Sequence, residues 1–133
     1  KSDIDNLRTI IYLLLEPVSV QLQQNIGWRR SGPSRFVQET FSDGLHQGVK
    51  MSVEPGEAYI VVTYMNSGDS SEISPIILAT GDSEESGIVK AFDSIQGKGE
   101  YIVVIPDDCY YMFISSERSD LGNIEVKKPR GAS

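Results

Sequence analysis

The chain has 133 residues, 39% of them hydrophobic, and a formal net charge of −7, which fits one domain with a short appendage, large enough to bury a core. It lacks the clustered basic face that a nucleic-acid partner requires. A single cysteine, Cys109, excludes an internal disulfide, and no apolar run approaches the roughly 20 residues needed to span a bilayer, so no membrane insertion is expected.

At the N-terminus Ile4, Leu7, Ile11 and Leu14 recur at heptad spacing, which places them on one helical face while Asp3, Asp5, Asn6, Arg8 and Thr9 point elsewhere. The spacing predicts a short oligomerising helix that ends near Leu15, because Pro17 disfavours helix at Glu16. An isolated helix below about 12 to 15 residues is marginal in water, so this one must be buried. Either several copies bundle, three being the preferred count, or one copy packs against its own sheet. Ile10, Leu13 and Leu15 add apolar surface outside the seam. The chain opens at Lys1 without a methionine and carries no signal peptide or lipidation motif, and so reads as a piece of a longer polypeptide.

After Pro17, Val18, Val20 and Leu22 alternate with polar residues at a strand period, although Val18 and Leu22 also fit a second helical turn after the proline. Residues 1–25 are therefore assigned to helix and linker, 26–128 to a β-sandwich head and 129–133 to a tail. The head opens with a short extended piece, Gly27-Trp28-Arg29-Arg30, then a Gly-Pro turn and Phe36, Val37 and Phe41. Strands follow over 49–53, 58–65, 73–80, 88–92, 101–105, 110–115 and 123–127. Turn residues divide them, among them Glu54-Pro55-Gly56-Glu57 and Gly97-Lys98-Gly99. About eight short strands at this spacing, with no βαβ alternation, predict a mainly β, antiparallel sandwich.

Three stretches carry a resemblance: Val49-Lys50-Met51-Ser52-Val53-Glu54-Pro55-Gly56-Glu57-Ala58-Tyr59, Ile73-Ser74-Pro75-Ile76-Ile77-Leu78, and Gly99-Glu100-Tyr101-Ile102-Val103-Val104-Ile105-Pro106. With the closing segments Cys109–Ser116 and Leu121–Val126, they are similar to the jelly-roll modules of bacteriophage tail proteins, over roughly residues 26–128. The resemblance implies an antiparallel jelly-roll sandwich behind a trimeric, coiled-coil-like stalk. It also implies a place in a tail fibre or receptor-binding protein on the virion tail, and a carbohydrate-binding character. The matching positions are turn residues and core hydrophobics, which specify a fold and leave the ligand open.

The inventory for catalysis is thin. His46 is the only histidine, nothing around it or Cys109 supports a thiol dyad, and no nucleophile elbow, phosphate loop or zinc signature is present. The acidic runs Asp82-Ser83-Glu84-Glu85 and Asp107-Asp108 lack the alternating ligand spacing of a calcium loop. No enzyme activity, cofactor or metal is expected. Sugar recognition needs an aromatic face and a few fixed polar groups. The candidates are Trp28 with Arg29 and Arg30, then Tyr64 and Tyr111, against the alternative that Trp28 belongs to the core. The expected partners are host-surface polysaccharide or a neighbouring tail protein, bound by a homotrimer. A carbohydrate-binding module of a secreted bacterial protein and a structural tail spacer are the alternatives.

Overall fold

The structure, a computed structural model, describes residues 15–31, 35–65, 73–81, 87–92 and 97–129. These form eleven β-strands and, among the described residues, no helix. The expected stalk helix, with Ile4, Leu7, Ile11 and Leu14, lies outside the described residues. Leu15, expected at the helix end, instead opens strand β1 (Leu15–Pro17).

The strands that follow are β2 (Gln23–Gln24), β3 (Ile26–Arg30), β4 (Phe36–Thr40), β5 (Gln47–Ser52) and β6 (Ala58–Met65). Then come β7 (Ile76–Ala79), β8 (Ile88–Ala91), β9 (Gly97–Val104), β10 (Tyr111–Ser116) and β11 (Glu125–Pro129). All pairings are antiparallel, and eight strands form nested couples: β1 with β11, β5 with β10, β6 with β9, and β7 with β8. Such nesting is what one long antiparallel ribbon gives when its first strand lies against its last. Alternate couples go to different sheets, giving orders β1-β11-β6-β9 and β2-β5-β10-β7-β8.

Both sheets contribute to one hydrophobic core. Val61, Val103 and Val126 of the first meet Val49, Ile76, Leu78, Met112 and Ile114 of the second. The period of two in β9 shows why. Gly99, Tyr101 and Val103 are buried while Lys98, Glu100, Ile102 and Val104 are exposed, as expected of a strand with one face in a core. β7 and β10 are buried on nearly every residue, which requires cover on both faces.

That second cover is the β3–β4 hairpin, which lies on the outer face of the five-stranded sheet. Trp28 and Phe36 from the hairpin pack on Ile77, Ala79 and Phe113, with the Trp28 ring edge-on to Phe113 at 5.1 Å between centroids. The Trp28 backbone N–H donates to Ser115 Oγ at 2.9 Å, fixing the hairpin to β10. Close approach also depends on Gly48 in β5, where a Cβ would stand 2.7 Å from Trp28 Cζ3.

Two local readings of the sequence differ from the structure. The alternating stretch after Pro17 makes one further bond, from Val18 N–H to Val126 O at 2.8 Å, and then leaves the sheet. Val18 and Val20 pack against the core without a ladder of their own. Gly97-Lys98-Gly99, expected as a turn, begins β9. Gly99 serves packing there, since a Cβ on it would lie 2.8 Å from the Tyr101 ring.

Candidate functional site

The β5–β6 connection is built by its own chemistry. Proline at the second position of Glu54-Pro55-Gly56-Glu57 and glycine with φ of 90° at the third define a type II turn, closed by Glu57 N–H donating to Glu54 O at 3.2 Å. Gly56 N–H donates to Ile105 O and Ile105 N–H to Glu57 O, both at 2.8 Å, so the turn is tied to the end of β9.

This turn brings two carboxylates to one end of the packed sheets. The Glu57 side chain folds back, and its Oε1 accepts from Glu54 N–H at 2.7 Å and from the Tyr59 hydroxyl at 2.9 Å. Burial first, then the bond to Glu57 and the nearby charges of Glu57 and Glu54, hold the Tyr59 phenol well above its ordinary pKa. Tyr59 is thus a neutral donor that orients Glu57.

Across from the turn stands the Tyr110-Tyr111 pair. The Tyr110 backbone is pinned on both sides, its carbonyl accepting from Val53 N–H at 2.9 Å and its own N–H donating to Ala79 O at 3.0 Å. Its side chain remains 48% exposed. A rigid backbone carrying an open aromatic ring is a stacking platform. Ser52, Val53, Glu54, Glu57, Tyr59, Tyr110 and Tyr111 together line a cleft of about 450 Å³. That volume is in the range of small-molecule sites.

Of the residues that the sequence pointed to, Tyr111 lies in this cleft and the others do not. Trp28 is 2% exposed, so its ring is occupied by packing and offers no face to a ligand. Arg29 Nε donates to Glu39 Oε1 across the hairpin, and Arg30 is exposed on β3. Tyr64 is half-buried, and its ring is close enough to Gly122 that a Cβ there would meet the Tyr64 hydroxyl at 2.8 Å. Glu54, Glu57, Tyr59 and Tyr110 are lining residues that sequence reasoning had placed only in a turn and strands. The available signal was two glutamates flanking a Pro-Gly turn directly before a tyrosine.

Cys109, immediately before the platform, is fully buried, and burial pushes its thiol pKa up. His46 is engaged elsewhere, stacked on Phe41 with ring centroids 3.5 Å apart and paired with Asp43 at 2.8 Å. Among the described residues no three metal-ligating side chains come together, and no helix is long and apolar enough to cross a membrane.

Carboxylate oxygens accept from sugar hydroxyls, a tyrosine face packs on the apolar side of a pyranose, and a hydroxyl such as that of Ser52 can do either. No basic side chain lines the cleft. Comparison of the chain with protein-family models, with curated proteins and with solved structures finds no match.

Proposed function

We propose that the protein is a non-catalytic carbohydrate-binding module, part of a bacteriophage tail fibre or receptor-binding protein, that attaches the virion tail to a host-surface polysaccharide. The observation that carries the ligand class is the cleft, in which an exposed tyrosine on a pinned backbone faces a glutamate held in place by two donors. The two carboxylates and the net charge of −7 favour neutral or amino-sugar polymers over anionic ones.

The finer fold reading, a jelly roll, is supported by the nested couples distributed alternately over two sheets. The tail-fibre setting rests on the resemblance of the strand and turn segments. Each cleft is open and shallow in chemistry, so a single site binds weakly, and many copies on one particle convert weak contacts into stable attachment through effective concentration.

The experiment is a glycan-array and whole-cell binding screen of the chain displayed multivalently, beside Tyr110→Ala. Retention on a defined neutral or amino-sugar polymer that is lost in the variant supports the proposal. Equal retention of the two proteins removes the cleft from recognition, and absence of any glycan binding leaves a tail-protein contact as the function.

A further inference from the structure

The four-stranded sheet has a second face that the core does not use. On β9, Ile102 is 76% exposed and Val104 62%, while Tyr101 and Val103 between them point into the core. Directly opposite on β6 stand Ile60 and Ala58, and next along the same face is Val62. The row continues through Lys127 of β11 to Pro17 of β1. Charged residues stand further along, Glu100 and Glu125 flanking Val62 in register. This is an apolar surface with a polar border, on a sheet whose first strand is the entry point of the chain.

We propose that residues 1–14 fold back as a helix over this outer face and cover it within the same chain. The segment ends where β1 begins, at the edge of the sheet opposite β9, so no linker separates it from the surface. Fourteen residues in a helix extend about 21 Å, enough to cross four strands, which span about 14 Å. Its composition suits a sheet better than a second helix. A coiled-coil seam is a narrow stripe of two positions per heptad, whereas Ile10 and Leu13 widen the stripe made by Ile4, Leu7, Ile11 and Leu14, as in helices that pack on a core. Direct tethering also gives the intramolecular contact an effective concentration on the order of millimolar, which association between separate copies at micromolar concentration does not match.

The test is limited proteolysis at Arg8 together with solution mass, on the full chain and on Ile102→Asp/Val104→Asp. Both substituted side chains are largely exposed among the described residues, so the core is untouched. Unchanged emission from the single tryptophan verifies that the double variant folds. The expected result is a 14.7 kDa monomer for both proteins, with the bond after Arg8 cut about tenfold faster or more in the variant, because the open population rises as the contact is lost. Equal cleavage rates overturn the proposal. A wild-type mass that is a multiple of the monomer and falls to the monomer in the variant also overturns it, and assigns the face to an interface between copies.

Discussion

Gly48→Ala tests the layering that removes Trp28 from the surface. A methyl at this position lies 2.7 Å from Trp28 Cζ3 and 2.9 Å from the Ile26 carbonyl oxygen. Carbon atoms pack at about 3.5 to 4.0 Å, so the indole must move by close to an ångström. It is wedged at 2% exposure, edge-on to Phe113, which in turn packs on Phe36 with ring centroids 4.8 Å apart. Overpacking of this kind costs about 1–3 kcal/mol. For a domain of this size that lowers Tm by about 4–12 °C, taking about 4 °C per kcal/mol. Thermal unfolding followed by far-UV circular dichroism gives the loss, and the single tryptophan reports from the perturbed site itself through a red-shifted emission. Trp28→Leu alone is costly because it leaves a cavity, but in that background Gly48→Ala should cost at least about 1 kcal/mol less than in the wild type, a coupling expected only of residues in contact. Additive penalties, or a Gly48→Ala protein as stable as the wild type, refute the close approach.

Tyr110→Ala is expected to leave unfolding free energy within about 0.5 kcal/mol of the wild type, because the ring is half exposed, while glycan affinity falls about tenfold or more, as for a single aromatic anchor; a stability loss several times larger contradicts the platform assignment. Tyr59 keeps its proton in the folded state at pH values where the unfolded chain releases it, so its contribution to stability is complete below about pH 10 and declines as pH rises above that. Tyr59→Phe should flatten that alkaline decline in urea titrations, and an unchanged slope counts against the buried phenol. Cys109, buried and with its thiol pKa raised, should react with a thiol reagent about a hundredfold more slowly in the native state than in denaturant. Fast native labelling would place it at the surface.

The strand pattern was legible where turn chemistry and alternation agreed. The expected strand over 58–65 coincides with β6, and the one over 88–92 differs from β8 by one residue, since both are runs rich in β-branched side chains bounded by glycine or proline. Gly97 and Gly99 misled because glycine marks a turn and also marks a strand position where another group approaches closely, and only the neighbouring Tyr101 ring distinguishes the two. The third layer was illegible for a related reason. Trp28 and Phe36 sit in short extended pieces without clear periodicity, and their burial follows from the outward faces of β7 and β10, which sequence alone does not align. Tyr111 was identified as a candidate for its side chain, whereas Glu57 escaped because its role depends on folding back to its own turn and to Tyr59.

Binding of the multivalently displayed wild-type chain to a panel of neutral, amino-sugar and anionic polysaccharides, with Glu57→Gln beside it, weighs recognition through the cleft. Retention on neutral or amino-sugar polymers, absence on anionic ones and weaker binding by the variant are the predicted results. Preference for anionic polymers, or binding that Glu57→Gln leaves unaltered, contradicts a sugar site built on the β5–β6 turn.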